Sequence, residues 1–205
     1  AEVFLPTLQK LLSAQDSTNN LPTISWLENA LIKDSSQLTP SDFTHFYQLL
    51  LNAYAKGDRR FVLITGTDTL SYLGAFLAEA FAGSDTCIAL TASMRPLLDS
   101  EILHSYNIDE HSDAWGNLND SLKLAAAGES GVKISFSGES WPAQTVQKIH
   151  SHDLMAFTGH SRAAYPANSY IKSLPDTRRQ HWLDDQQDLL SSIKTRAENA
   201  SVHAL

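Results

Sequence analysis

Arg60-Phe61-Val62-Leu63-Ile64-Thr65-Gly66-Thr67-Asp68-Thr69-Leu70 is the stretch on which the fold turns. Phe61 to Ile64 are apolar β-formers with no polar residue among them. Continuous rather than alternating hydrophobicity marks a strand covered on both faces, as in a parallel sheet. Gly66 breaks the run, and the spacing of apolar residues predicts an amphipathic helix from about Leu70 to Phe81, ended by Gly83. Cys87-Ile88-Ala89-Leu90-Thr91 then repeats the buried-strand pattern. Strand, helix and strand in close succession specify an α/β chain.

Working outward, Thr39-Pro40-Ser41-Asp42 reads as a helix start. Thr39 caps it, Pro40 suits the first position, and Asp42 lies at the positive end of the dipole. Phe43, Phe46, Leu49, Leu50, Ala53 and Tyr54 supply its apolar face, and Gly57 stops it. Earlier, Val3, Leu5, Leu8, Leu11 and Leu12 predict a helix within residues 2–14, and Pro22-Thr23-Ile24-Ser25-Trp26-Leu27 reads as a short strand. A long loop over residues 97–111 precedes a helix over 113–127, capped by Ser112 and stopped by Gly128. Residues 132–136 form a strand, Gly138-Glu139 a hairpin turn, and residues 144–146 a further strand. The pattern predicts a layered α/β/α architecture around a mostly parallel sheet. Residues 1–173 are read as this domain, and residues 174–205, rich in Asp, Gln, Arg and Lys, as a polar helical linker or docking segment.

Composition narrows the function classes. The chain has 205 residues, 42% hydrophobic and 19% charged, as in an ordinary globular protein. A net charge of -8 argues against nucleic acid as a partner. Arg59-Arg60 and Arg178-Arg179 are too short for a binding stripe and read as solvated surface. No apolar run approaches the roughly 18 residues that span a bilayer, so no membrane partner is expected. The single cysteine, Cys87, favours a reducing compartment and a cytoplasmic location. Its apolar surroundings make it a buried small hydrophobe rather than a nucleophile.

In open α/β sheets ligands lie beyond the carboxyl ends of the parallel strands. Three loops of this kind, over residues 33–37, 64–69 and 91–112, are rich in Thr, Ser and Asp. Thr65-Gly66-Thr67-Asp68-Thr69 places hydroxyls, a carboxylate and free N–H groups at one helix start. A tract of this type is also often only a turn and a cap. Phosphate is disfavoured, because no Gly-x-x-x-x-Gly-Lys tract is present and Asp68 would repel it. His150-x-His152 has a spacing metals can use, but no third ligand suits it, so no metal is expected.

Leu63 to Leu70, as quoted, resembles the second signature of the bacterial L-asparaginase/glutaminase family, whose core is Gly-Thr-Asp-Thr after a hydrophobic strand. Asp34-Ser35-Ser36-Gln37-Leu38-Thr39-Pro40 is similar to the substrate-binding loop of the cytosolic-type members. Leu90-Thr91-Ala92-Ser93-Met94-Arg95-Pro96 is similar to the strand end after the signature helix, and Ser112-Asp113 with Asn117-Leu118 to the next helix start. Lys148, followed by His152-Asp153-Leu154 and Phe157, resembles the segment supplying the family's catalytic lysine. These segments fall in the family's order and cover roughly residues 35–157.

The resemblance implies the amino-terminal domain of an amidohydrolase that releases ammonia from L-asparagine, and also from L-glutamine, through a threonine nucleophile and without a cofactor. It assigns Thr67, Asp68 and Lys148 to proton handling, and Asp34, Ser35, Ser36, Thr67, Asp68 and Ser93 to the amino-acid substrate. Outside the resemblance, Lys148 reads as a surface lysine beside the strand over residues 144–146. A homodimer or higher homo-oligomer is implied as well. The chain departs from the family in lacking a Thr-Gly-Gly-Thr tract, the first strand and the lid tyrosine. The expectation is therefore that a strand-plus-threonine segment precedes Ala1; full-length members of the family also carry a second α/β domain. Without that segment the sheet would leave an apolar edge exposed. The alternative is a non-catalytic amino-acid-binding relative that kept the grip and lost the first threonine. Asparagine and glutamine are not ranked by the sequence, since one methylene is worth only about 1–3 kcal/mol.

Overall fold

In the computed structural model the described residues are Leu8, Leu12, 23–31, 33–98, Asp109, 111–161 and 173–198. Their centre is β2 (Cys87–Thr91), buried at all five positions, four of them the unbroken apolar run Cys87 to Leu90. It lies in a four-stranded sheet of order β1-β2-β3-β4, with β1 (Arg60–Ile64) and β3 (Gly131–Phe136) parallel to it. β4 (Glu139–Pro142) returns antiparallel to β3. The turn joining them holds Ser137 at φ 51° and Gly138 at φ 81°. Two positive φ angles in a two-residue loop match the twist of a tight hairpin.

α1 (Pro40–Ala55) and α2 (Leu70–Ala80) bury Tyr47, Leu50, Leu70, Leu73 and Leu77 in one core with Ile88, Leu90, Val132 and Ile134. α3 (Ala114–Ala127) covers the other face, where Leu118 and Leu122 pack with Leu8, Leu12 and Val62. Residue alternation along β2 explains the division: Ile88 and Leu90 face α2, while the Cys87 thiol reaches the Leu124 carbonyl of α3 at 3.7 Å. The result is three layers, α/β/α, around a mostly parallel sheet. The crossovers β1-α2-β2 and β2-α3-β3 step the same way along the sheet, yet their helices lie on opposite faces. One of the two therefore departs from the usual right-handed rule.

The helix boundaries follow local chemistry. Thr39 Oγ1 accepts from the Asp42 N–H and Asp42 Oδ2 accepts from the Thr39 N–H, a reciprocal capping box with Pro40 at the first turn. Gly57 at φ 112° and Gly128 at φ 72° end α1 and α3 in the left-handed region. Gly74 lets α2 approach the sheet, since a Cβ there would lie 2.8 Å from Ile134 Cδ1.

Several expectations change. Residues 23–27 are irregular rather than a strand, with Trp26 39% and Leu27 43% exposed. Its β-forming residues find no sheet edge to join among the described residues. Instead of a strand over 144–146 there is a short 3-10 turn, Ala143–Thr145, because Pro142 turns the chain and Ala143 is fully buried beside Gly74. The chain then forms β5 (Gln147–Lys148), which pairs with β6 (Phe157–Thr158) in a second small sheet. Among the described residues β1 is an edge strand, not one flanked by strands on both sides. A cleft of about 630 Å³ runs beside it, lined by Val62, Ile64, Leu49, Leu50, Leu118 and Leu122. The helix expected within residues 2–14 lies outside the described residues, apart from Leu8 and Leu12, which are helical and buried. Most of the loop over 97–111 also lies outside them.

α4 (Asp176–Glu198) packs on α1, placing Leu183 and Leu190 in the main core and Trp182 against Tyr54 and Phe81. The arginine pairs are not simply solvated. Arg59 and Arg179 both meet the buried Asp85 carboxylate, at 3.3 and 2.9 Å, and Tyr54 Oη donates to it at 2.9 Å. Burial alone would raise the Asp85 carboxyl. The Leu174 N–H, Arg179 and the Tyr54 hydroxyl outweigh it and hold the group below the usual carboxylate range. Burial, aided by Asp85, pushes the Tyr54 phenol up to about 12.

Candidate functional site

The parallel strands β1 and β2 end side by side, and the ladder continues one step further through the Thr65 N–H, which donates to the Thr91 carbonyl at 3.0 Å. Their carboxyl ends therefore place the turn Thr65 to Thr69 beside Ala92 and Ser93, as open α/β sheets place ligand loops. α2 starts at Leu70 with no side-chain hydrogen bond at its cap, Thr69. Its first N–H groups, at the positive end of the helix dipole, keep no side-chain partner from the cap.

Three segments distant in sequence converge on this turn. The first is the 3-10 turn Ser35–Gln37, whose Ser35 is buried and lies directly over Gly66. A Cβ on Gly66 would sit 2.2 Å from Ser35 Oγ and 2.5 Å from Ser35 Cβ, so this contact demands glycine. Lys33 ties the same segment to α1, with Nζ 2.9 Å from both oxygens of the buried Asp42. Burial would raise the Asp42 carboxyl, but Lys33 and the Thr39 hydroxyl and N–H hold it below its ordinary range. Asp34 caps the turn: its Oδ1 accepts from Ser36 Oγ at 2.7 Å and from the Ser36 N–H at 2.9 Å. The Ser36 hydroxyl and then its N–H hold the exposed Asp34 carboxyl below the usual value.

The second segment is β5. Lys148 Nζ donates to Thr67 Oγ1 and to Asp68 Oδ1, both at 2.8 Å, although the residues are 81 and 80 positions apart. The Lys148 side chain is 21% exposed and that of Asp68 55%, so one end of the bridge is sheltered and the other open to water. The third segment is the end of β2. The Met94 and Arg95 N–H groups donate to the Asp113 carboxylate at 3.0 to 3.1 Å, fixing the chain just beyond Ser93.

Thr67, Asp68 and Lys148 are thus in direct contact, and Ser35 reaches the same turn through Gly66. Asp34 and Ser36 sit on that turn's outer side and bond each other, and Ser93 lies on the neighbouring strand end. Sequence reasoning gave Thr69 no role of its own and missed Ser71: their hydroxyl oxygens are buried with no hydrogen-bond partner among the described residues. Small hydroxyl residues in the first turn of a helix without a side-chain cap are the signal that could have marked them. His150 and His152 are exposed, and no group of three or more His, Cys, Asp or Glu suited to a metal occurs among the described residues. Burial pushes the Cys87 thiol up, as befits a packing residue. No helix of the described residues is long and apolar enough to cross a membrane.

A family model described as "Asparaginase, N-terminal" matches residues 3–174. The L-asparaginase of Thermococcus kodakarensis is 29% identical over 139 residues, covering 68% of this chain and 38% of that protein. Among solved structures, a probable cytoplasmic L-asparaginase from Campylobacter jejuni aligns at TM-score 0.60 and 25% identity, over 74% of this chain and 44% of the other. L-asparaginase I from Vibrio cholerae aligns at TM-score 0.58 and 25% identity, over 74% and 43%. The thermostable L-asparaginase of Thermococcus kodakarensis shares the fold at TM-score 0.60 and 21% identity, over 81% and 49%. The chain spans less than half the length of each of these relatives.

Proposed function

The chain belongs to the asparaginase family, matching its N-terminal domain, and from that premise we propose that it forms the amide-hydrolysing part of an enzyme releasing ammonia from L-asparagine. One observation carries the reading: Lys148, from a separate hairpin, bridges Thr67 Oγ1 and Asp68 Oδ1 at 2.8 Å each. Amide hydrolysis by a hydroxyl needs a proton acceptor beside it and donors for the developing oxyanion. Thr67 supplies the hydroxyl, and attack on the side-chain amide carbon forms an ester as ammonia leaves. Water then releases L-aspartate and restores the hydroxyl.

Lys148 and Asp68 handle the proton. In the bridged state Nζ donates to Thr67, so the amine takes the threonine proton only after passing one of its own to Asp68 or to water. The open face of Asp68 supports that exchange. Asp68 also meets the substrate α-ammonium, and Ser35 with its backbone meets the α-carboxylate. Asp34 and Ser36 shape that turn, and Ser93 orients the amide or the water. The uncapped start of α2 suits an oxyanion. L-Glutamine is a second substrate in this reading, and no cofactor takes part.

We place residues 1–173 in this domain and 174–205 in a docking segment, supported by the apolar face that α4 sets against α1. The exposed apolar side chains of Ile149, Leu154 and Met155, next to Lys148, support a homo-oligomer. A cytoplasmic location rests on the Campylobacter jejuni relative, itself described as a probable cytoplasmic L-asparaginase. The test is stoichiometric: the intact protein given L-asparagine should yield ammonia and L-aspartate in equal amounts. Absence of both products at millimolar substrate would end the reading.

A further inference from the structure

Asn117 is 3% exposed in the first turns of α3, and its side-chain amide is bonded on both sides. Nδ2 donates to the Ala92 carbonyl at 3.0 Å and to Asp113 Oδ2 at 3.1 Å. Oδ1 accepts from the Ser137 N–H at 2.8 Å. A buried amide with this many bonds is costly to disturb, because removing it leaves several polar groups without partners. Asp113 caps α3, and the other partners, Ala92 and Ser137, lie outside it. They belong to the two arms of the candidate site.

One arm is the end of β2. Ala92 directly precedes Ser93, and Asp113 holds the Met94 and Arg95 N–H groups that follow it. The other arm runs through the β3-β4 turn. Ser137 has a positive φ of 51°, which a non-glycine residue adopts only with support, and Asn117 Oδ1 supplies it. Ser137 Oγ in turn donates to the Leu154 carbonyl, in the loop that joins β5 to β6. That loop is closed by the Ile149 N–H on the Ala156 carbonyl at 2.8 Å, one residue from Lys148. Phe157, the cross-strand partner of Lys148, packs edge-on against Phe136 at 4.8 Å between ring centroids, next to Ser137.

We infer that Asn117 is a positioning residue: acting through Ala92 and through Ser137 and Leu154, it sets the Ser93 loop and the Lys148 hairpin in register with Thr67. The inference rests on the proposed function of Thr67 and Lys148, but its geometry is independent of it. Ser137→Ala cuts only the hairpin arm and leaves the backbone unchanged. Asn117→Asp keeps the shape, removes the donors and places a second carboxylate beside Asp113.

In the intact protein, Ser137→Ala should lower kcat for L-asparagine several-fold with KM unchanged, because only Lys148 shifts. Asn117→Asp should lower kcat roughly tenfold to a hundredfold and also raise KM, since a displacement of about 1 Å costs up to about 10² in rate. A purely packing role would lower the melting temperature of either variant and leave kcat and KM per folded molecule as in the wild type. That outcome would overturn the inference. If Asn117→Asp does not fold, Ser137→Ala carries the kinetic test alone. If the wild type releases no ammonia, the proposed function fails, and crystal structures decide this point separately. The Lys148 Nζ to Thr67 Oγ1 separation should lengthen from 2.8 Å in Ser137→Ala, and an unchanged separation would reject the positioning role.

Discussion

Replacing Gly66 by alanine tests how tightly the Ser35 turn is set against the Thr67 turn. The new Cβ would fall 2.2 Å from Ser35 Oγ and 2.5 Å from Ser35 Cβ. Carbon contacts settle at about 3.5–4.0 Å, so Ser35 must retreat by about 1 Å. Rotating the hydroxyl away does not suffice, because Ser35 Cβ collides as well. The buried turn has to move, and overpacking of this kind costs roughly 1–3 kcal/mol. For a chain of this size each kcal/mol lowers Tm by roughly 2–4 °C.

A shift of about 1 Å at a substrate-gripping residue is worth up to about 10² in kcat/KM. Gly66→Ala should therefore melt several degrees lower and lose roughly tenfold to a hundredfold in ammonia release from L-asparagine, mainly through KM. The double variant Gly66→Ala with Ser35→Gly removes the clash without restoring the hydroxyl. Its melting temperature should recover while its KM stays high. Wild-type melting and kinetics in Gly66→Ala would refute the close approach. Recovery of KM in the double variant would refute a substrate contact by Ser35.

If Lys148 handles the Thr67 proton as proposed, Lys148→Met should lower kcat far more than it raises KM, and equal effects on both would contradict that role. Asp68→Asn should weaken L-aspartate binding in calorimetry, since a charge-assisted contact becomes a neutral one about half as strong, and unchanged affinity would count against the ammonium contact. Asp85→Asn should cost roughly 3 kcal/mol by breaking a buried ion pair, and it should also flatten the acid limb of stability. The folded Asp85 carboxyl titrates below its unfolded value. Its contribution is therefore complete above about pH 4 and is lost as pH falls through the lower folded value. A wild-type acid limb in urea melts of the variant would show that Asp85 does not carry it.

Legibility in the sequence followed the range of the interactions. β2 was readable because four consecutive apolar residues, Cys87 to Leu90, can be buried only between two layers. The start of α1 was readable because its capping box closes within four residues. β1 carries the same apolar signature as β2 but lies at an edge among the described residues, since periodicity reports hydrophobicity and not which neighbour is present. Residues 23–27 have β-forming composition but pair with no strand among the described residues, and strand propensity is mostly a statement about partners. Pro142 could have signalled the turn at Ala143–Thr145, because it fixes its own φ and cannot continue a ladder.

The site divides in the same way. Thr65 to Thr69 stood out by local chemistry, at a strand end before a helix. The placement of Lys148 against Thr67 spans 81 positions and left no mark in local pattern, so only the family resemblance pointed to it. The Asp85 anchor between Arg59 and Arg179 is equally non-local, and adjacent arginines looked like ordinary surface. Asn117 had a weak signal: it lies four residues after Asp113, on the helix face that also carries the buried Leu118 and Ser121. A polar amide on an otherwise buried face is a candidate for an interior hydrogen-bond centre.

The central claim is that the Thr67 hydroxyl, held by Lys148, performs the hydrolysis. Its most direct test is ammonia release from saturating L-asparagine by the intact protein, compared with its Thr67→Ala and Thr67→Ser variants in folded form. Thr67→Ala should lose roughly 10³-fold or more in kcat, and Thr67→Ser, which keeps an oxygen within reach of Lys148, should retain measurable turnover. Undiminished turnover by Thr67→Ala would contradict it.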